Sequence, residues 1–348
     1  MIKWYEKPGP ECAAVVSSRV SVSRNLRGVP FPALLEADEK RRVAKRLHDA
    51  AFRANSEVAR NFQSINLEKL RTAEAVAMAE RGILRADFVE HREGRYLLLS
   101  PDESQSVVTN GEDHFLIQVR AAGLCLQDAY AAADRLDTFL DDSLHFAYDK
   151  RLGYLTSNPA ALGTGMLASL ELHLPALADT GAVGRIASNL RPLGLSFSSA
   201  LHPHGSVFRL SNRMTLGISE RDAVSNLCGI ARQIIAQEYE TRKQLIRSIS
   251  VQDTVERSLG IFRSARLLGY EEFLDLASVI RFGAATGFET SIRIEDIDSL
   301  AMRVQPACLT LEAGMGLTEN EERALRASIV RTAFAQHTET GRGEDGSE

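Results

Sequence analysis

Cysteine is scarce in this 348-residue chain and tryptophan scarcer, with four of the first and one of the second. Cys12, Cys125, Cys228 and Cys308 lie far apart with no Cys-x-x-Cys pair. That argues against a zinc site or a disulfide framework and fits a reducing cytoplasm. No apolar run reaches the length of a membrane span, and the opening "MIKWYEKPGPE" has no signal-peptide core, so a soluble cytoplasmic protein is expected. An excess of positive charge is also missing. Lys+Arg number 41 against 46 Asp+Glu, a net charge of -5, so nothing global points to nucleic acid or an anionic membrane surface. No fixed-period repeat is evident. What remains is ordinary, 44% hydrophobic and 25% charged, and long enough for one large domain plus a small one.

The patterning is mixed. "EADEKRRVAKRLHDAAFRAN", Glu36 to Asn55, sets Val43, Leu47, Ala51 and Phe52 on one helical stripe. A second helical stretch is expected from Leu67 to Arg81. "RYLLLS", "QSVVTNG" and "HFLIQVR" are short β-prone runs split by turn residues, an antiparallel meander. "LQDAYAAADRLDTFLDD" is helical. "RLGYLTSNPAALGTGMLAS" predicts a strand, a glycine-rich loop and then a helix. "LGLSFSS" and "GSVFRLSN" read as a hairpin around the loop Ala200 to His204. Ser219 is the expected N-cap of a long helix, and from about Ser250 the periodicity is helical throughout. The division is therefore residues 1–250 as an α+β domain, 251–336 as a helical domain and 337–348 as a disordered tail.

Four segments carry chemistry. "VVSSRVSVSRNLRGVPFP", Val15 to Pro32, presents Arg19 beside small hydroxyl residues, a setting suited to a phosphate group. Two positions on, on the same side of an extended chain, stands Ser21 and no second cation. The others are "TNGEDHFLIQ", "DKRLGYLTSNPAALGTGMLAS" and "FRLSNRMTLGISERD". Together they resemble the signatures of bacterial protein arginine kinases, members of the ATP:guanido phosphotransferases, and the resemblance spans nearly the whole chain. It implies a phosphagen-kinase, glutamine-synthetase-like catalytic fold, an antiparallel sheet flanked by helices, followed by a small all-helical C-terminal domain.

In that family arginines converge on the phosphates of ATP-Mg while two carboxylates grip the guanidinium, so positioning and electrostatics carry the catalysis. The resemblance places the ATP site at Ser17, Ser18, Arg19, Ser21, His114, Leu116, Leu167 and Ser198. Of these, Ser21, Leu116, Leu167 and Ser198 stand where the family has arginine. The loop glutamate falls in "ALHP", which holds no acid. Asn158, Gly111 and Gly82 stand for a cysteine, a glutamate and a histidine. Arg19, Glu112, Asp113, His114, Gly153, Gly163 and Gly165 are kept, and Glu112 is the one catalytic candidate, as the guanidinium clamp. Losing one preorganised charge-stabilising group costs about 2.7–4 kcal/mol in the transition state. Four arginines and a carboxylate cannot be summed simply, but even a discounted loss removes useful phosphoryl transfer. Buried leucines at positions 116 and 167 would turn an anion pocket into an apolar wall.

Each residue has a plainer reading as well. Arg19 is a phosphate ligand or an ion-paired arginine. Glu112, Asp113 and His114 are a clamp or a strand-end turn paired locally. The glycine loop is a phosphate cradle or a connector. His202 and His204 lack a third ligand, so no metal site is expected. Arg120 shares a strand face with Leu116, yet four residues of strand is roughly 13 Å. Arg209 and Arg213 lie beyond the loop as possible replacements. "ERALRA", Glu322 to Ala327, resembles the family's "RDxxRA" phosphoarginine reader with Glu322 and Arg323 exchanged in, and an acid there opposes a phosphorylated ligand.

The expectation is a pseudokinase, a regulatory or binding partner in cytoplasmic protein quality control, with ATP-Mg bound weakly or not at all. The alternative is an active ATP:guanido phosphotransferase using Glu112 on its substrate; a third reading is a scaffold without ligand. Partners implied by the resemblance are a zinc-binding activator protein, a Clp-type AAA+ unfoldase and a second copy in a homodimer. Nucleic acid and membrane are not expected partners.

Overall fold

The computed structural model describes residues 1–53, 57–200, 204–289 and 291–340. Among these residues ten strands form in chain order: β1 Val15–Arg24, β2 Gln63–Asn66, β3 Tyr96–Leu99, β4 Gln105–Thr109, β5 Phe115–Ala122, β6 Tyr148–Asp149, β7 Gly153–Tyr154, β8 Met166–His173, β9 Leu195–Ser199 and β10 Val207–Asn212. Eight of them make one sheet in the order β2-β3-β4-β5-β1-β8-β10-β9, with antiparallel pairing throughout. The meander and the β9–β10 hairpin form as their alternation predicts.

Alternation gives the sheet two unlike faces. Val20, Val22, Ile117, Val119, Ala168, Leu170, Leu172 and Leu210 point one way and are buried in the main core with the helices Leu126–Leu144 and Glu220–Leu245. Ser219 caps the second of these, its Oγ accepting the Asp222 amide at 3.1 Å. Over β3 and β4 the opposite face is covered by a smaller cluster of Leu67, Ile83, Leu84 and Phe88 against Leu97, Leu99 and Val108. Over β5, β1, β8 and β10 that face is polar.

The helix Glu220–Leu245 ends, and after a short break the helices Ile249–Ser264, Tyr270–Ala285, Ile294–Arg303, Pro306–Ala313 and Glu319–Thr340 build a second core. Phe262 stacks on Phe273 at 5.4 Å and meets Phe334 edge-on at 5.1 Å within it. The two parts are stitched together by charge. Arg281 binds Asp298 at 2.8 Å and the carbonyl of Cys12 at 2.7 Å, and Glu80 accepts the amides of Ala307 and Cys308 that open a C-terminal helix.

Three local expectations change. "MLASLELH" is a strand and not the start of a helix. Its Met, Leu, Ala and Glu favour helix intrinsically, but β1 and β10 flank it on both sides and satisfy its backbone. Leu67 to Arg81 is broken: a single turn at Leu67–Lys69 precedes the helix Thr72–Glu80. The last helix runs to Thr340, into the segment expected as tail, and residues 341–348 lie outside the described ones.

Candidate functional site

On β1 the side chains of Ser17, Arg19, Ser21 and Ser23 alternate against Val20 and Val22 and so face the polar side. Register then sets their neighbours. Arg19 lies between Arg120 of β5 and Ser169 of β8, Ser21 between Gln118 and Leu167, Ser23 beside Leu116, and Ser17 between Ala122 and Glu171. Glu171 pairs with Arg209 of β10, and Arg209 with Ser198 of β9. Arg19, Ser21, Leu116, Leu167 and Ser198 therefore share one face, reached from four different strands.

Arg19 is half-buried. Its Nε donates to Ser21 Oγ at 3.2 Å and its Nη2 to Gln118 Oε1, and among the described residues it has no carboxylate in ion-pair range. Burial lowers its guanidinium to about 10, with Glu171 opposing and Arg209 adding to the effect. Glu171 is itself engaged: Arg209 Nη2 donates to it at 2.7 Å and Ser17 Oγ at 3.0 Å. Burial alone would raise its carboxyl, but the bond and charge of Arg209 outweigh that and hold it below the ordinary value. Arg209 is thus neutralised in place.

Arg120 is 8% exposed and directly opposite Arg19. One nitrogen donates to the Arg81 carbonyl at 2.8 Å; Nη2 is buried without a hydrogen-bond partner among the described residues. Its guanidinium lies over Gly82, where a Cβ would sit 3.3 Å from both terminal nitrogens. Burial first and the charge of Arg19 second push its pKa well down. A guanidinium stays protonated all the same, so the cost is carried as an uncompensated buried charge.

The apolar wall does not form. Leu167 is 50% exposed and Leu116 only half-buried, because both stand on the polar face among serine, glutamine and arginine. Ser18 points the other way and bonds the Gly123 carbonyl at 2.7 Å. Asp113 accepts from Asn25 at 2.6 Å and from the Ser157 amide at 2.8 Å, and His114 Nδ1 accepts the Leu26 amide at 3.1 Å. Both are spent in joining β1 to the turn before β5. Burial drops His114 to about 4, with the nearby Asp113 opposing, so it is neutral at pH 7. Glu112 stands apart at this turn, 47% exposed, 3.8 Å from Arg85.

The glycine loop is occupied with itself. The amides of Tyr154, Thr164 and Gly165 donate to the carbonyls of Gly163, Thr215 and Ala161, and a Cβ on Gly163 would lie 2.1 Å from the Thr215 oxygen. His204 bonds Asp275 at 2.9 Å, while His202 lies outside the described residues. Among the described residues no group of three or more His, Cys, Asp or Glu is placed to hold a metal ion. Arg213 is exposed. In "ERALRA", Arg326 is fully buried; it donates to the carbonyls of Val304 at 2.9 Å and Leu268 at 3.0 Å and to the Glu322 carboxylate.

Gln118 and Glu171 are the residues that sequence reading missed on this face; Arg120, placed by sequence on the strand face of Leu116, is discounted there only for its distance from that residue. The period-two alternation of "FLIQVR" and "LASLELH" holds the signal, but it becomes readable only once the pairing register is known. Chemically the face offers fixed cations and hydroxyls, with its one central carboxylate already paired.

The family model for the ATP:guanido phosphotransferase C-terminal catalytic domain matches residues 42–241, and that for the protein-arginine kinase McsB C-terminal domain matches residues 248–344. The chain is 34% identical to the protein-arginine kinase of Clostridium acetobutylicum over 337 residues, covering 95% of this chain and 99% of that one. It is 33% identical to that of Geobacillus stearothermophilus over 343 residues, covering 96% and 94%. Among solved structures it resembles the duplicated taurocyamine kinase of Schistosoma mansoni, with a TM-score of 0.60 and 21% identity over 75% of this chain and 38% of that one. Lombricine kinase gives a TM-score of 0.58 and 21% identity over 66% and 67%. These two likenesses speak to fold.

Proposed function

The chain belongs to the ATP:guanido phosphotransferase family, in its protein-arginine kinase branch, and we propose that it is a catalytically silent member that works by binding. The observation that carries this reading is the composition of the polar face. By the motif correspondence, Ser21, Leu116, Leu167 and Ser198 stand where the branch places phosphate-gripping arginines, and all four share the face with Arg19. These residues do not fit a triphosphate. The row beside Arg19 is Ser21, Gln118 and Leu167, without a cation, and the amides of Tyr154, Thr164 and Gly165 in the glycine loop are donated within the protein rather than left free to cradle a phosphate. Removing such charges takes away the transition-state stabilisation on which phosphoryl transfer depends.

ATP-Mg at millimolar concentration is accordingly expected to leave the melting temperature nearly unchanged, since a ligand stabilises only as far as it exceeds its dissociation constant. A rise of several degrees that Arg19→Ala abolishes would contradict this. The same reading extends to partners and place: a regulatory role in cytoplasmic protein quality control, beside a zinc-binding activator, a Clp-type AAA+ unfoldase or a second copy of the chain. What supports it is the well-formed core of the C-terminal helices, kept although the polar face has changed. Size-exclusion chromatography with light scattering reads the second copy directly, and a monomeric full chain removes it.

A further inference from the structure

Two guanidiniums face each other across the β5–β1 ladder, and among the described residues neither has a carboxylate in ion-pair range. The two acids whose charges act on Arg120, Glu171 and Glu103, are engaged elsewhere. Glu103 is bound by Lys3 at 2.8 Å and Arg81 at 3.0 Å, and Glu171 by Arg209 at 2.7 Å. Directly opposed residues of an antiparallel pair lie about 4.5–5.5 Å apart at Cα, so the two side chains share one patch of the face. Like charges this close in a water-poor setting repel strongly unless something negative sits with them. Arg120 Nη2 is a buried donor with nothing to donate to, on a side chain more than nine-tenths buried. Leaving such a group unmet costs more than a neutral donor would. Gly82 supplies the space the guanidinium occupies.

We propose that Arg19 and Arg120 form a site for one compact tetrahedral oxyanion, phosphate or sulfate in size, on the face between β1 and β5. The site is limited to a single such group by its surroundings. One row on, where a second phosphate would need a cation, stand Ser21, Gln118 and Leu167, and beyond them Ser23 and Leu116. The buried position of Nη2 excludes a bulky ester. Gln118 and Ser21, which already hold Arg19, orient its fork. The proposal rests on the reading of this face as no longer a triphosphate site, and it shifts the positive centre onto a residue, Arg120, that the family motifs do not mark.

The test is calorimetric titration of the full chain at fixed ionic strength with inorganic phosphate, with sulfate and, separately, with ATP-Mg. Phosphate and sulfate are expected to bind and ATP-Mg to bind no more tightly than phosphate. Arg120→Met should weaken phosphate at least tenfold while leaving the ligand-free melting temperature unchanged or higher, because it removes an uncompensated charge. No heat from phosphate up to about 10 mM overturns the proposal. So does phosphate binding that is the same in R120M, or a fall in R120M stability with phosphate binding intact. If R120M does not fold, Arg120→Lys and Arg19→Lys serve: each keeps the charge, loses the planar fork and should weaken phosphate severalfold. Tight ATP-Mg binding with weak phosphate binding would sink the functional reading too, whereas absence of both leaves that reading standing and removes only this one.

Discussion

Two buried arginines, Arg326 in the helical domain and Arg120 in the sheet, sit in opposite circumstances. Arg326 has every side of its fork met: Val304 and Leu268 carbonyls, the Glu322 carboxylate one helical turn back, and the Tyr270 ring at 5.5 Å. Arg120 has one carbonyl, a neighbouring cation and an idle donor. The first pattern is how a protein spends a charge on its own fold. The second is how a charge stands when its partner is not part of the chain. In the family reading "ERALRA" corresponds to a phosphoarginine reader, and Glu322 now closes the retained Arg326 from within. In the proposed reading the sheet face goes the other way: it lacks the arginines the motifs mark and holds an unmarked one open.

The contrast can be forced in three ways. Arg326→Met should cost the most, about 3 kcal/mol or more, because it strands Glu322 and two buried carbonyls, whereas the matching change at Arg120 should cost nothing. Chemical denaturation of both variants measures this, and equal losses would erase the distinction. Ser21→Arg combined with Leu167→Arg should raise ATP-Mg affinity tenfold or more, each charged hydrogen bond contributing about 1.5–3 kcal/mol, read by calorimetry against wild type. No gain would mean that these positions are not phosphate-facing. The smallest effect is on stability: Leu167→Arg alone should shift it by less than about 0.5 kcal/mol, since the side chain is half in solvent.

Much of the fold was legible because alternation and helical period report burial directly. "RYLLLS", "QSVVTNG" and "HFLIQVR" became β3, β4 and β5, and Ser219 capped its helix. "MLASLELH" reads as helix because propensity is local, whereas its strand state is imposed by β1 and β10. At the site, motifs placed Arg19, Ser21, Leu116, Leu167 and Ser198, and register brings these five onto one face. Motifs say nothing of solvent, so the leucines were expected in an apolar wall and stand on an open face. Arg120 was set aside on its distance along the strand from Leu116. What matters is the much shorter distance across the ladder to Arg19, and no single strand's sequence contains that pairing. The resemblance puts Ser17 and Ser18 together at the ATP site, but successive residues of a strand point to opposite faces, and only Ser17 lies on the polar one.

Whether this family member is silent turns on phosphoryl transfer itself. Incubating the full chain with labelled ATP-Mg and an arginine-rich unfolded protein, then assaying acid-labile phosphate on the substrate, decides it. The account predicts no label above the enzyme-free control. Robust labelling that disappears in Glu112→Gln would contradict it, and would make Glu112 the working carboxylate of an active protein arginine kinase.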